Sequence, residues 1–157
     1  MNSFKLNREE TVKHLNETGH SALLVGNVGV GKTTIVRQPR MVSAQTLAME
    51  FAMHGMDAIT KHINSQINYQ AMTVVIDDLG MEDDVKHFGN QVDPIQYVIH
   101  RVYDTNQTAA QKIRLLLTTN LDKTELQEKY GERTMSRIYE MCDVIILDDT
   151  NLREVDK

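Results

Sequence analysis

The chain has 157 residues, of which 41% are hydrophobic and 25% charged, with only two prolines, and this composition is typical of one globular domain. These values exclude a disordered or collagen-like chain, and no apolar run approaches the roughly 18 residues that a membrane helix requires. A single cysteine excludes an internal disulfide and a cysteine cluster for zinc. With 22 acidic against 17 basic residues the formal charge is −5, so the surface offers no general attraction to nucleic acid. The N-terminal residues contain no apolar signal segment, and we expect a cytoplasmic protein.

The first 20 residues predict a flanking helix ahead of the first strand. Asn7 can cap a helix over residues 7–20, Glu10 stands at the capping-box position, and Gly19 suits a left-handed terminus. Five apolar runs rich in Val, Ile and Leu then predict strands buried on both faces. They cover residues 21–25, 40–43, 72–77, 113–118 and 143–147.

The segments between these strands predict the covering helices. Residues 44–54 have apolar side chains at helical spacing, with Ser43 as a cap and Gly55 as a stop, and a second helical piece runs to about Ile63. Asp93 and Pro94 begin a further helix, whose apolar face is formed by Ile95, Val98, Ile99 and Val102. Continuous apolar strands alternating with helices predict a three-layer α/β domain with a five-stranded parallel sheet.

The segment that follows the first strand is unusually short. Between Lys32 and Met41 only eight residues remain, and Pro39 prevents a helix from running through them. A helix that crosses over a sheet normally needs more residues, so the sequence predicts a stunted helix or a chain from which residues are missing here.

A phosphate-binding loop is the strongest functional signal. GNVGVGKT, residues 26–33, matches G-x-x-x-x-G-K-[ST] directly after a predicted strand. Glycines allow successive backbone N–H groups to face an anion, Lys32 can reach the β- and γ-phosphates, and the Thr33 hydroxyl can bind Mg²⁺. The spacing of the glycines differs from the G-x-G-x-x-G of dinucleotide sites. The predicted nucleotide-binding residues are Gly26, Asn27, Val28, Gly29, Val30, Gly31, Lys32, Thr33 and Thr34.

Polar residues at the ends of two further strands complete the predicted site. Asp77 and Asp78 end the third strand, and Asn120 follows the fourth. Carboxyl ends of parallel strands meet at one edge of a sheet, so we expect these side chains beside the phosphate-binding loop. Asp77 with Thr33 would hold the metal, Asp78 would act as general base, and Asn120 would hold the attacking water or a γ-phosphate oxygen.

Two arginines lie at helical spacing near the end of the chain. In YGERTMSRI, Arg133 and Arg137 stand four residues apart and therefore on one helix face. From this pattern alone, a pair of solvated side chains is the simpler interpretation.

Four motifs in one order carry a family resemblance. GNVGVGKTT, VVIDDLG, LLLTTNLD and YGERTMSRI occur between residues 21 and 149. Together they resemble the DnaC-type helicase loaders and IstB-type transposition helpers, a branch of the AAA+ ATPases, and DDVKHFGN is similar to a form found in bacteroidete and phage-associated members. The resemblance implies Walker A and Walker B motifs, Asn120 as sensor 1, and Arg137 as a catalytic arginine finger acting on a neighbouring subunit, with Arg133 as the lesser candidate.

The same resemblance implies an architecture, a reaction and partners. It implies strand order 5-1-4-3-2, a flanking helix over residues 1–20, an ATPase domain over residues 21–157, and no C-terminal lid domain. The implied reaction is Mg²⁺-dependent ATP hydrolysis, with Lys32, Asp78, Asn120 and Arg137 as catalytic residues. We expect a homo-oligomer that acts with a replicative helicase or a transposase and with single-stranded DNA, and no membrane.

The sequence is also compatible with two other functions. One is a nucleotide-gated interaction module that binds ATP with little turnover. The other is a small-molecule kinase, in which the TTN and SRI motifs would have no role. The six histidines have no ligand spacing with Cys142, so we expect satisfied or solvated side chains rather than metal ligands.

Overall fold

A computed structural model describes residues 1–89 and 92–148, which form one parallel sheet with helices on both faces. The strands are β1 (Ser3–Leu6), β2 (Ser21–Val25), β3 (Val42–Ser43), β4 (Thr73–Leu79), β5 (Arg114–Thr119) and β6 (Cys142–Leu147). The helices are α1 (Arg8–Thr18), α2 (Lys32–Val36), α3 (Ala44–His54), α4 (Met56–Tyr69), α5 (Pro94–Thr108), α6 (Lys123–Tyr130) and α7 (Glu132–Met141).

The sheet has six strands in the order β1-β6-β2-β5-β4-β3, so the prediction of five strands is wrong. The five predicted strands keep the expected order 5-1-4-3-2 among themselves. The sixth is β1, which pairs in parallel with β6 and places Ser3 opposite Val144. Its four residues alternate between exposed and half-buried positions, so the N-terminal region belongs to the sheet and is more than a flanking helix.

Two apolar clusters divide the domain into three layers. The larger cluster joins α3, α4, α5, α6 and α7 to one face of the sheet. The smaller cluster joins α1 and α2 to the opposite face through Leu15, Val36 and buried residues of the central strands. This distribution confirms the predicted three-layer α/β class.

Local sequence signals set several helix boundaries. Asn7 and Glu10 form the expected capping box of α1, and Gly19 ends that helix at φ 64°. Helix α3 has the predicted bounds, whereas α4 continues past Ile63 as far as Tyr69. The Asp93 side chain caps α5, and all four apolar residues of its predicted face are buried.

The short segment after the phosphate-binding loop leaves one strand edge incompletely paired. Helix α2 has only five residues, and β3 has two instead of the four predicted, pairing only with Ile76 and Asp77. Immediately before these two residues of β4, the side chain of Gln66 takes the place of a strand. It accepts the Val75 N–H at 2.8 Å and donates to the Val75 carbonyl at 3.2 Å. Gln70 donates to the Thr73 carbonyl at 2.8 Å. Two glutamine amides, one on α4 and one at its C-cap, therefore satisfy backbone groups that β3 is too short to reach.

Among the described residues, no helix combines the length and the apolar character needed to cross a membrane. Asn90, which ends the DDVKHFGN segment, and residues 149–157, which end the predicted ATPase domain, lie outside the described residues.

Candidate nucleotide-binding site

The phosphate-binding loop leaves the sheet at the carboxyl end of β2 and leads into α2. The Gly26 N–H donates to the Thr119 carbonyl at 3.2 Å, which ties the start of the loop to β5. Gly29 and Gly31 have φ values of 89° and 91°, a left-handed conformation that side chains oppose. Alternation of left-handed and ordinary residues turns backbone N–H groups towards one side and creates an anion-binding concavity. The loop therefore has the backbone geometry that the motif requires.

A cleft of about 500 Å³ opens beside this loop. Its walls include residues from three separate parts of the sequence, as the ends of parallel strands predict. The lining residues are Val28, Gly29, Gly31, Lys32, Thr33, Thr34, Asp78, Met81 and Asn120. The structure thus brings most of the predicted site together at the carboxyl edge of the sheet.

Three predicted binding residues do not line the cleft. Gly26 and Asn27 instead offer their backbone carbonyls to Lys32. Val30 is buried in the smaller apolar cluster and packs the loop against the domain. Gly26 and Asn27 therefore shape the loop through their backbone carbonyls, and Val30 does so through its packing.

Lys32 lies folded across the base of the loop. Its ammonium group donates to the Gly26 carbonyl at 2.6 Å and to the Asn27 carbonyl at 2.8 Å. Burial lowers the pKa of this side chain, while the nearby carboxylates of Asp78 and Asp77 act in the opposite direction. Two neutral acceptors hold the cation there, and an anionic ligand could replace both of them.

Thr33, Asp77 and Thr118 form a buried hydrogen-bonded group below the loop. The Thr33 hydroxyl donates to the Asp77 carboxylate at 2.9 Å, and the Thr118 hydroxyl donates to the same carboxylate at 2.5 Å. Asp77 is only 7% exposed, and a buried carboxylate is costly unless hydrogen bonds or a cation compensate it. The hydroxyl of Thr33 and the carboxylate of Asp77 are hard oxygen ligands of the kind that Mg²⁺ prefers. This donor set fits the predicted metal site.

Asp78 differs from its neighbour in backbone conformation and environment. The β4–β5 register shifts between Ile76 and Leu79, and Asp78 within this bulge has a φ of 57°. A bulge turns a side chain out of the regular alternation of a strand, and here Asp78 lines the cleft while Asp77 lies below it. The Thr118 hydroxyl fixes this geometry by accepting the Asp78 N–H at 2.8 Å. Burial, followed by the charge of Asp77, raises the pKa of Asp78, although Lys32 opposes the shift.

The two arginines of α7 lie outside the cleft lining. Arg137 donates to the Nδ1 atom of His100 at 2.5 Å, lies 3.6 Å from the Asp104 carboxylate, and stacks on the Tyr103 ring at 4.6 Å. Burial and the charges of Arg137 and Arg133 lower the pKa of His100, which favours the neutral ring that can accept from Arg137. Arg133 is exposed and forms no ion pair with any described residue. Both arginines therefore belong to the α5–α7 surface.

Sequence reasoning missed the role of Thr118 and the link between Gly80 and Tyr130. The Thr118 hydroxyl donates to the Asp77 carboxylate and accepts the Asp78 N–H. Its position in the TTN motif was the only feature of the sequence that could have indicated this role. Tyr130, at the end of α6, accepts the Gly80 N–H at 2.8 Å and donates to the Glu82 carboxylate. The loop after β4 is thereby joined to the chain immediately before α7, a contact that no local pattern indicates.

No family model matches this chain, and no curated protein is significantly similar to it. The case for nucleotide binding therefore depends on the geometry of the cleft.

Proposed function

We propose that the chain binds Mg·ATP in this cleft and hydrolyses the bond between the β- and γ-phosphates. The observation that carries the proposal is the convergence of a phosphate-binding loop with Asp77, Asp78 and Asn120 at one edge of a parallel sheet. Glycine geometry, a buried lysine, a hydroxyl–carboxylate pair and a second acid are the components that phosphoryl transfer requires.

Each residue has a distinct task in this reaction. Lys32 exchanges its two carbonyl acceptors for phosphate oxygens, and loop N–H groups hold the remaining oxygens. Thr33 and Asp77 would hold Mg²⁺, which when bound offsets the negative charge of the phosphates. Asp78 takes a proton from water while the water oxygen attacks the γ-phosphorus and the bridging oxygen leaves with ADP. Its raised pKa makes Asp78 a stronger base than an ordinary aspartate.

The resemblance extends the proposal to an oligomer. Arg137 of one subunit would contact the γ-phosphate bound to the next, and an arginine supplied in this way typically raises the rate about 10³- to 10⁵-fold. Within one chain, Arg137 is held on α5 by His100 and Asp104, so α5 and α7 would together form the surface presented to the neighbour. An isolated monomer would hydrolyse ATP slowly.

We further propose that hydrolysis drives a DNA-associated remodelling step, such as loading of a replicative helicase or assistance to a transposase. Support for this step comes from the order of the four motifs alone. Single-stranded DNA that stimulates hydrolysis would favour it.

A nucleotide-gated module with little turnover is the second candidate. The geometry of Asp78 favours it, because aspartate is one methylene shorter than glutamate and this one is held at φ 57° by the bulge. In this case ATP binding alone would switch the affinity for a partner.

Calorimetric titration with Mg·ATP tests the proposed site. Lys32→Ala should weaken binding strongly, whereas Lys61→Ala, which removes a lysine on α4, should leave it unchanged. Equal affinity of both variants and the unaltered protein would refute the nucleotide site.

Hydrolysis separates the two candidates. The ATPase predicts turnover per site that rises with protein concentration and is lost in Asp78→Asn and Arg137→Ala. Tight ATP binding with no turnover at any concentration, with or without single-stranded DNA, would favour the module.

A further inference from the structure

A second cluster of functional side chains lies at the edge of the sheet opposite the nucleotide cleft. Asp143 is the second residue of β6, near the amino end of that strand, where it pairs with Ala22. His14 comes from α1, and His20 follows the left-handed Gly19 that ends this helix. Among the described residues, His14, His20 and Asp143 form a group of three potential metal ligands that lie close enough together to share one ion.

The three side chains converge on a single oxygen atom. His14 Nε2 and His20 Nδ1 each lie 2.8 Å from Oδ2 of Asp143, and all three ligand atoms lie within 4.8 Å of one another. The Asp143 and His14 side chains are only 7% and 17% exposed, whereas His20 is 57% exposed. The cluster is therefore anchored on one side and open to solvent at His20.

Surrounding residues fix the two buried members of the cluster. The side chain of Asn2 hydrogen-bonds Asp143, and the Asn2 carbonyl accepts the Val144 N–H at 2.8 Å. The ring of Phe4 packs on His14 with centroids 4.7 Å apart. Outer-shell contacts of this kind orient ligating imidazoles and carboxylates in metal sites.

Asp143 also has the ionised carboxylate that a metal ligand requires. Burial would raise the pKa of its carboxyl, but the hydrogen bonds from His14, His20 and Asn2 outweigh this effect and lower it. The carboxylate is thus ionised at neutral pH, and each of the two imidazole rings has one nitrogen directed at the same oxygen atom.

We propose that His14, His20 and Asp143 bind a divalent transition-metal ion, for which Zn²⁺ is the best fit. Two imidazole nitrogens and one carboxylate oxygen form a typical three-ligand zinc set, and the open side at His20 leaves the fourth position for water. Tetrahedral bonds of about 2.0–2.1 Å place neighbouring ligand atoms about 3.3 Å apart. The two histidine nitrogens therefore need to move away from Oδ2 by only about 0.5 Å, which side-chain rotation can supply.

A bound ion would hold helix α1 against the sheet. His14 belongs to α1, His20 follows the end of that helix, and Asp143 lies on β6, so the ion would link α1 directly to the sheet. An ion that binds only the folded protein stabilises it in proportion to its concentration and affinity. This site is independent of the proposed ATPase, and Mg²⁺, which prefers all-oxygen ligands, should not compete for it.

Calorimetric titration of the chelator-treated full chain with Zn²⁺ in the absence of nucleotide tests the site. We expect one ion per chain and a rise in Tm on binding. His20→Ala should weaken Zn²⁺ binding more than about tenfold, and its exposure makes this the variant least disruptive to the fold. His54→Ala, an exposed histidine at the end of α3, is the matched control and should bind as the unaltered protein does.

Asp143→Asn and Lys32→Ala complete the experiment. Asp143→Asn keeps the shape of the side chain but removes its charge, and it should also lose Zn²⁺, with circular dichroism confirming that it is folded. Lys32→Ala should retain Zn²⁺, which separates this site from the nucleotide cleft. Failure of the unaltered chain to bind Zn²⁺, or equal affinity in His20→Ala, would overturn the proposal.

Discussion

The glutamine that replaces a strand beside β4 provides a direct test of how the fold tolerates its short crossover. Gln66 has no exposed surface and bonds both backbone groups of Val75, accepting from the N–H at 2.8 Å and donating to the carbonyl at 3.2 Å. It also accepts from Gln70 at 2.6 Å. Gln66→Leu preserves the approximate volume of the side chain but removes every one of these bonds.

The expected cost follows from the groups left without partners. The Val75 N–H and carbonyl would both remain buried, and each buried unsatisfied group costs about 1–3 kcal/mol, so we expect a loss of about 2–6 kcal/mol in the free energy of unfolding. For a domain of this size, 1 kcal/mol corresponds to about 2–4 °C in Tm. The fall in Tm should therefore be at least about 4 °C.

Urea denaturation followed by circular dichroism measures this loss. Gln107→Leu is the matched control, because Gln107 is an exposed glutamine whose one hydrogen bond, to the Tyr103 carbonyl, is 3.4 Å long. That control should change stability by less than about 0.5 kcal/mol. A Gln66→Leu protein as stable as Gln107→Leu would show that the glutamine does not substitute for β3.

Three further predictions concern the two sites and the loop beyond β4. Asp78→Asn should raise the Tm of the ligand-free protein at neutral pH, because burial and the charge of Asp77 raise the pKa of Asp78 in the folded state and so destabilise its ionised form. The gain should shrink as the pH falls through the raised folded-state pKa and vanish below about 3.9, where the folded and unfolded carboxyls are both protonated. Gly80→Ala should lower Tm sharply, because Gly80 has a φ of 94° and an added Cβ would lie 2.1 Å from Leu121 Cδ1. Asp143→Asn in metal-free buffer should lower Tm at neutral pH, and the difference should vanish as the pH falls below about 3.9 and through the lowered folded-state pKa, since this stabilisation requires the ionised carboxyl.

Thermal denaturation over a pH series, with matched variants, checks all three. Asp84→Asn removes an exposed acid from the segment between β4 and α5 and should not reproduce the Tm gain of Asp78→Asn. A Tm gain for Asp78→Asn that does not vary with pH would contradict the electrostatic reasoning. Gly89→Ala shares a positive φ of 80° but its Cβ would meet nothing within 4 Å, so an equal loss at both glycines would exclude the clash with Leu121. An Asp143→Asn difference that persists at acid pH would show that charge is not what stabilises the cluster.

Local signals were sufficient for much of the secondary structure. The capping box of α1, the bounds of α3 and the Asp93 cap of α5 all follow from residues within one or two turns of one another. The phosphate-binding loop was likewise evident, because its chemistry requires glycines and a lysine at fixed spacing in one segment. Convergence of Asp78 and Asn120 with that loop was predictable, since parallel strands bring their carboxyl ends to one edge.

Strand β1 was missed because four alternating residues are too short a pattern to distinguish an edge strand from a tail. The bulge that separates Asp78 from Asp77 depends on Thr118 in the neighbouring strand, and the edge of β4 is satisfied by Gln66 from a helix on one face of the sheet. Neither contact produces a periodic pattern of residues that could be recognised in the sequence.

The histidine cluster shows most clearly that contacts between distant residues cannot be predicted from local sequence signals. His14 and Asp143 are 129 residues apart, and nothing near either residue indicates the other. Periodicity, capping and loop motifs arise from neighbours along the chain, so the sequence by itself determined most of the helices and central strands and the phosphate-binding loop. Contacts between distant residues depend on which strands lie side by side, so only the tertiary structure decided the edge strand, the geometry of Asp78 and the meeting of His14, His20 and Asp143.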